Sequence, residues 1–315
     1  MRPARETMPV APGLAAPSFA LALGGGGARG LAHICVLEAF DELGVRPAAI
    51  AGTSIGAIIG AAYAAGMPGA SLRQHVLDTT RRPAETMGRL LRARVGRIGD
   101  LFKGVLANPA LIDAEMFLDL FWPDQVPDRF EDLAIPFKAI ATDLLTRSEV
   151  VFGSGPLLPA VAASMAIPGL IRPLVTAGGL LVDGSAVNPL PYDQLSGLAD
   201  RVIAVDVTFG PVTDEKNAMQ PFDAMFAAAQ VMQGAITAAK LKSGAPDAVI
   251  RPDVGLFRVL DFFKATEIFA EAEKIKDIVK RTVDVLAAGK AGGQIQPGGA
   301  QPYPAIARRR ASHKK

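Results

Sequence analysis

The hydrophobic pattern opens with two strand-then-helix units. Apolar residues run from Ser18 to Leu23 and again from Ala48 to Thr53, and each run has the length of a buried strand. Apolar positions at helical spacing follow from Gly30 to Leu43, and an Ala- and Ile-rich helical segment follows the second run as far as Gly66. Strands that alternate with helices predict a parallel sheet with crossover helices.

The rest of the chain contains further predicted strands and helices. Strands are predicted at Phe137 to Thr142, Glu149 to Phe152, Leu170 to Thr176, Leu180 to Val182 and Arg201 to Val207. Helices are predicted at Phe222 to Lys240 and at Lys264 to Leu286, of which the second is amphipathic. We therefore expect an α/β fold with a central, mainly parallel sheet flanked by helices.

The composition along the chain predicts a single domain over residues 18–287. Residues 1–17 form a Pro- and Ala-rich, flexible lead-in, and residues 288–315 form a disordered basic tail. Residues around 69–130 are predicted to be a helical excursion from the sheet, with a basic stretch at residues 89–97.

Two uncharged stretches, residues 47–72 and 150–171, are long enough to span a membrane. The first is mostly Ala and Gly and contains a GxxxG pattern, and the second is interrupted by three prolines. Both are predicted to be buried strand-turn-helix segments rather than membrane spans. No continuous apolar signal core precedes the first strand, and we expect a cytoplasmic protein.

Composition and charge exclude several classes of protein. Half of the 315 residues are apolar and 20% are charged, which rules out a disordered chain. Cys35 is the only cysteine, so no intramolecular disulfide and no Cys-based zinc site can form, and three scattered histidines argue against a His-rich metal site. Although the net charge is +2, residues 301–315 alone carry five basic residues and no acid, so the remaining chain does not have the charge of a nucleic-acid-binding protein.

A glycine-rich segment, Gly24 to Gly30, joins the first strand to the first helix. Glycines let backbone N–H groups approach a ligand closely, and the helix N-terminus adds positive potential, so the loop suits a phosphate or a developing oxyanion. Gly25, Gly27 and Gly30 also satisfy the dinucleotide pattern G-x-G-x-x-G. The acidic residue expected at the end of the second strand is missing, however, and no Gly-Lys-Ser/Thr follows, which disfavours a nucleotide.

Gly52-Thr53-Ser54-Ile55-Gly56 lies where the second strand meets the second helix. This G-x-S-x-G pattern is typical of a nucleophile elbow, in which Gly52 and Gly56 permit a sharp turn that exposes the Ser54 hydroxyl. A helix N-cap serine is the alternative interpretation, but the position directly after an apolar run favours catalysis.

A third motif, Asp183-Gly184-Ser185, follows the apolar Leu180 to Val182. An aspartate at the end of a buried strand can point into a cleft, although Asp-Gly is also common in turns.

A serine nucleophile needs a base, and the usual chain order is Ser, Asp, His. Only His313 follows Asp183, within the predicted tail, and neither His33 nor His75 fits that order. A carboxylate is then the simplest base, and partial burial can raise its pKa toward a useful range. Asp183 of the third motif is the first candidate. Two other acids near strand ends, Asp143 and Asp206, are fallback bases, although a structural role is the favoured interpretation of both.

These three motifs, in this order, resemble the patatin-like phospholipase family, of the bacterial type. The segments Gly30 to Leu37, Ala141 to Asp143 and Ser164 to Gly169 are also similar to that family, and the resemblance covers about residues 18–210. It implies a three-layer α/β/α fold, a Ser–Asp dyad and hydrolysis of lipid acyl esters without a metal or another cofactor.

Carried over by position, the resemblance makes Ser54 the nucleophile and Asp183 the general base. Three residues of the loop, Gly25, Gly26 and Gly27, would supply the oxyanion N–H groups, and Arg29 would brace them. The sequence departs from the family at Ser185, where Gly or Ala is usual.

The implied activity is that of a phospholipase A or a lysophospholipase-type esterase. An acyltransferase on the same scaffold and a non-catalytic lipid- or anion-binding protein remain alternatives. The expected partner is a lipid or acyl-ester substrate. Peripheral contact with an anionic membrane, through residues 89–97 or 308–310, is a further possibility, with a solvated basic tail as the simpler interpretation. No nucleic-acid partner is expected, and the oligomeric state is left open.

Overall fold

A computed structural model describes residues 16–81, 113–119, 122–208 and 221–289. Most of the predicted lead-in, the basic stretch at residues 89–97 and nearly all of the predicted tail lie outside these ranges. The excursion is described at its two ends, which contain two helices and a single 3₁₀ turn at Phe130–Asp132.

The first two strands and the first two α-helices of the described chain alternate as the pattern predicts, and several later strands follow one another directly. The strands are β1 Phe19–Leu23, β2 Ala49–Thr53, β3 Phe137–Asp143, β4 Ser148–Phe152, β5 Leu174–Val175, β6 Leu180–Asp183, β7 Arg201–Val205 and β8 Ala248–Ile250. The helices are α1 Ala32–Glu42, α2 Ile55–Ala64, α3 Gly69–Thr80, α4 Ala114–Asp119, α5 Leu157–Ser164, α6 Pro221–Ser243, α7 Ala265–Ala272 and α8 Ile275–Ala287. None of the described helices is long and apolar enough to cross a membrane.

All eight strands form one sheet, and its centre is parallel. β3, β2, β1, β7 and β8 lie side by side in that order, each parallel to its neighbour. β4 and β6 pair with β3 in the antiparallel direction, and β5 pairs with β6 in the same way. The predicted mainly parallel α/β sheet is confirmed, with an antiparallel region at one end.

The two faces of the sheet carry side chains of different size. In β1, Phe19, Leu21 and Leu23 belong to the large core shared with α1, α2 and α8, whereas Ala20 and Ala22 belong to a smaller core on the opposite face. That second core also contains residues of a short 3₁₀ helix, Tyr192–Leu195, and Leu241 of α6 packs against it. Small side chains on this face let the covering segments approach closely, which gives three layers.

One edge of β3 carries two different strands end to end. β2 pairs with residues 137–140 of β3 and β6 pairs with residues 141–143, while β4 occupies the other edge over residues 139–143. β2 runs parallel to β3 and β6 runs antiparallel to it, so the carboxyl ends of β2 and β6 meet head to head. Thr53 is opposite Ile140 and Asp183 is opposite Ala141, so the residue after β2 and the last residue of β6 are brought together.

Two predicted elements differ markedly from the observed ones, and one observed strand has no predicted counterpart. The strand predicted from Leu170 to Thr176 is reduced to the two residues of β5, because Pro173 interrupts the segment and cannot donate a ladder hydrogen bond. The long C-terminal helix is divided into α7 and α8. β8, at Ala248–Ile250, was not predicted, since three apolar residues carry too little pattern.

Candidate active site

Ser54 occupies a sharp, strained turn between β2 and α2. Its backbone has φ 57° and ψ −124°, in the left-handed half of conformational space, which a non-glycine residue rarely adopts. The turn also needs close packing, because a Cβ at Gly56 would lie 2.1 Å from the carbonyl oxygen of Leu23, and one at Gly52 would lie 2.4 Å from the Gly56 oxygen. These distances explain both glycines of the G-x-S-x-G pattern.

The Ser54 hydroxyl donates a hydrogen bond to the carboxylate of Asp183. The distance from Ser54 Oγ to Asp183 Oδ2 is 2.5 Å, and the two side chains are 129 residues apart in sequence. Both residues are buried, with 4% and 7% of their surface exposed. Burial raises the pKa of Asp183 above its ordinary value, although hydrogen bonds from Ser54 and Ser185 oppose this. A more basic carboxylate is a better acceptor for the serine proton.

Three further hydrogen bonds fix the position of Asp183. Its Oδ1 accepts from the amide of Ser185 at 2.8 Å, and its own amide donates to the carbonyl of Ala166 at 3.0 Å. Its carbonyl accepts from the hydroxyl of Thr142 on β3 at 2.9 Å. The carboxylate is therefore held with Oδ2 toward Ser54.

The glycine loop, residues 24–30, packs against Ser54 and against Ser185, which lies two residues after Asp183. A Cβ added to Gly25 would stand 2.2 Å from Ser185 Oγ and 3.4 Å from Ser54 Cβ, so only glycine fits there without displacing a neighbour. The amide of Gly25 donates to the carbonyl of Pro189 at 3.0 Å, which ties this loop to the segment that follows Asp183. The amides of Gly26 and Gly27 have no hydrogen-bond partner within the described ranges.

Arg29 and His33 lie behind the glycine loop. Arg29 is buried, and its Nε contacts the carbonyl of Gly26 at 3.5 Å. Burial lowers the pKa of Arg29, and the nearby Asp206 opposes that shift. His33 is fully buried and its Nε2 bonds the carbonyl of Gly24 at 2.8 Å, while burial lowers its pKa to about 4, so the ring is neutral and structural.

Sequence reasoning missed the role of Ser164. This residue ends α5 and is fully buried, and its Oγ accepts the hydrogen bond of the Ser54 amide at 2.9 Å. The bond supports the strained backbone from which the hydroxyl projects. The sequence signal for this residue is the similarity of the Ser164 to Gly169 segment to the patatin-like family.

A polar network that sequence reasoning also missed supports the loop after Asp183. Asn188 donates to Glu149 at 2.6 Å and to Asp193 at 3.0 Å, and its side-chain oxygen accepts from Lys240 of α6 at 2.5 Å. The carbonyl of Asn188 accepts from Thr53, the residue before Ser54, at 2.9 Å. Both site loops are thus anchored to one cluster.

The two fallback acids are engaged elsewhere. Asp143 accepts from the amides of Leu145 and Leu180, and these bonds with that of Thr146 lower its pKa. Asp206 accepts from Arg251 at 3.1 Å. Neither acid has a hydrogen bond to Ser54.

One group among the described residues has the geometry to hold a metal, namely Cys35, Glu38 and Glu273. Two cationic side chains already occupy it, since Arg73 bonds both glutamates and Lys276 bonds Glu38 at 2.8 Å. Burial raises the pKa of Cys35 to about 12, so its thiol is protonated. The group is an ion-pair cluster joining α1 and α3 to the α7–α8 region.

Comparison with known proteins identifies relatives of this chain. The family model described as patatin-like phospholipase matches residues 21–196. An uncharacterized NTE family protein of Mycobacterium tuberculosis is 40% identical over 206 residues, which are 64% of this chain and 53% of that protein. Patatin-like phospholipase domain-containing protein 6 of Homo sapiens is 34% identical over 200 residues, which are 62% of this chain and 14% of that protein.

Among solved structures, VipD from Legionella pneumophila aligns with 85% of this chain and 67% of its own, at 14% identity and a TM-score of 0.46. The chain spans about half the length of the mycobacterial relative. Since the family model covers more than half of the chain and contains all three motifs, the chain belongs to the patatin-like phospholipase family.

Proposed function

We propose that this protein is a serine lipid acyl hydrolase, of the phospholipase A or lysophospholipase type, that works through Ser54 and Asp183. The observation that carries the proposal is the 2.5 Å hydrogen bond from a serine on a strained elbow to a buried carboxylate. Family membership supports a lipid as the source of the ester.

In the first step, Ser54 Oγ attacks the ester carbonyl carbon while its proton passes to Asp183 Oδ2. The carbonyl oxygen becomes an oxyanion, which needs hydrogen-bond donors in place before charge develops. We assign that role to the amides of Gly26 and Gly27. Gly25 would join them only by releasing the carbonyl of Pro189, and its main part is to let the loop approach Ser54.

In the second step, the tetrahedral intermediate collapses and the bond from carbon to the leaving oxygen breaks. Asp183 returns its proton to that oxygen, so the alcohol or lysolipid leaves and an acyl-Ser54 ester remains. Asp183 then takes a proton from water as the water oxygen attacks the acyl carbon. Collapse releases the fatty acid, and the proton returns to Ser54.

The test is hydrolysis of a soluble short-chain chromogenic ester by purified variants. Ser54→Ala and Asp183→Asn should each lose activity by about 10⁴-fold or more while circular dichroism shows the fold retained. Asp143→Asn is the matched control and should retain activity. It removes the charge of a different buried carboxylate, which lies at the end of β3 and has no hydrogen bond to Ser54 among the described residues. Full activity in Asp183→Asn would refute the dyad.

A further inference from the structure

The carboxyl edge of the sheet carries exposed apolar side chains on two sides of the candidate site. Six exposed residues make up this surface, which we call the apolar rim: Leu144, Leu145, Val175, Leu256, Leu260 and Phe263. Large apolar side chains at loop tips cost free energy in water, so such a group marks a contact surface.

The first part of the rim stands above Ser54 and Asp183. Asp183 pairs with Ala141, and the turn from β3 to β4 begins three residues later, so its tip projects about 10 Å beyond the pair. Leu145 in that turn is 69% exposed and Val175 at the end of β5 is 83% exposed. The amide of Leu144 bonds the carbonyl of Leu180, which pairs with Val175, so the two turns stand side by side.

The second part of the rim lies against the glycine loop. The segment after β8 reaches that loop, because the carbonyl of Val259 accepts from the amide of Ala28 at 2.8 Å. On either side of this contact, Leu256 is 86% exposed and Leu260 is 42% exposed. Since β2 and β1 lie between β3 and β8 in the sheet, Ser54 and the glycine loop lie between the two parts.

The rim is accompanied by positive charge. Residues 144–148, 172–180 and 253–264 contain four basic residues, Arg147, Arg172, Arg258 and Lys264, and two acids, Asp253 and Asp261. Asp261 forms an ion pair with Lys264 at 3.0 Å, so the excess positive charge comes from the arginines. All four basic residues are exposed. Apolar tips next to cationic side chains match the two layers of an anionic lipid surface, where acyl chains lie beneath negative head groups.

We propose that the apolar rim is an interfacial docking surface that seats this carboxyl edge on an anionic lipid bilayer, with Ser54 facing the membrane. The proposal rests on the lipid hydrolase function above and names the physical state of its substrate. Docking inserts the tips among the lipids, and the cationic side chains contact the head groups. An ester can then reach Ser54 without crossing bulk water.

The first experiment measures sedimentation of the full-length protein with vesicles of diether phosphatidylcholine, with or without diether phosphatidylglycerol. Diether lipids contain no acyl ester, so binding is measured without acyl hydrolysis. The triple variant Leu145→Asp, Val175→Asp, Leu256→Asp should lower the partition coefficient by at least about tenfold. Leu198→Asp is the control, because Leu198 is also exposed but precedes β7 at the opposite edge of the sheet. It should bind like the wild type.

The charge component has its own variant. Arg147→Gln with Arg258→Gln should lower binding to the anionic vesicles by about fivefold per residue and leave binding to the neutral vesicles unchanged. If the wild-type protein bound neutral and anionic vesicles equally, the charge component would be overturned. If the triple variant bound vesicles as strongly as the wild type, the whole proposal would be overturned.

Hydrolysis of a soluble short-chain ester separates this proposal from the proposed function. The triple variant should keep wild-type activity on that ester and lose activity on ester-lipid vesicles. A wild-type protein that binds vesicles through the rim but cleaves no ester would refute the hydrolase and leave the docking surface in place. A dimer in light scattering that the triple variant abolishes, without vesicle binding, would assign the rim to a second copy of the chain and overturn the proposal.

Discussion

Replacement of Gly25 by alanine tests how closely the glycine loop packs on the Ser54–Asp183 pair. The added Cβ would lie 2.2 Å from Ser185 Oγ, which is far inside van der Waals contact, and 3.4 Å from the Cβ atoms of Ser185 and Ser54. The Ser185 hydroxyl must therefore rotate away, or the two loops must separate. Both responses disturb the surroundings of the Asp183 carboxylate.

The size of the expected loss in kcat/KM follows from the short contact between the added Cβ and Ser185 Oγ. Overpacking of a filled interior costs about 1–3 kcal/mol, which corresponds to about 5- to 150-fold in kcat/KM where the displacement reaches the reacting groups. In a Ser185→Ala background the short contact disappears, and the closest remaining neighbours are the two Cβ atoms at ordinary contact distance. The second substitution should therefore restore most of the loss, with a coupling free energy of about 1–2 kcal/mol.

The assay compares wild type, both single variants and the double variant by urea unfolding and by hydrolysis of a soluble ester. Gly178→Ala is the matched control, since a Cβ there meets nothing within 4 Å, and it should be close to neutral. A double variant as impaired as Gly25→Ala alone would refute the reasoning, because the loss would then not arise at the Ser185 hydroxyl.

Four other predictions concern the site, its supporting contacts and the stability of the fold. Ser164→Ala leaves the buried amide of Ser54 without this acceptor at a cost of about 1–3 kcal/mol. Steady-state kinetics should therefore show kcat lowered about 5- to 150-fold with KM unchanged, and an unchanged kcat would contradict the role. Asp183 must be ionised to act, and burial raises its pKa, so kcat/KM should fall with decreasing pH at a pH above about 4, the pKa of an exposed aspartate. Ser185→Ala removes a hydrogen bond that lowers this pKa and should move that limb of the profile to still higher pH, whereas a shift to lower pH would count against the assignment. Glu38→Gln, in the ion-pair cluster away from the site, should lower the free energy of unfolding by about 2–3 kcal/mol in urea titration and leave ester hydrolysis unchanged.

The local part of the fold could be predicted from the sequence because it depends on short-range pattern. β1 and β2 are apolar runs that end in glycine-rich turns, and the elbow at Ser54 is contained in five consecutive residues. Strand direction at the end of the sheet could not be predicted, since β5 and β6 are short and neither their length nor their alternation distinguishes parallel from antiparallel pairing.

The contacts of the site that join distant segments of the chain could be identified only from the structure. The sequence predicts Asp183 as the base from its position at a strand end, the lack of a suitably placed histidine and the family resemblance. Its approach to Ser54 depends on β3 pairing with β2 and β6 along the same edge. The Ser54 amide donates to Ser164 Oγ and the Gly25 amide donates to the carbonyl of Pro189, and each bond joins segments more than a hundred residues apart. No local pattern encodes such contacts.

The most direct test of the central claim is covalent labelling with a fluorophosphonate probe, followed by mass spectrometry of the modified peptide. Such a probe reacts with a serine only where the hydroxyl is activated by a base. We predict a single adduct, on Ser54, that is lost in Asp183→Asn even though the variant remains folded. An adduct on another serine, or undiminished labelling of Ser54 in Asp183→Asn, would contradict the account.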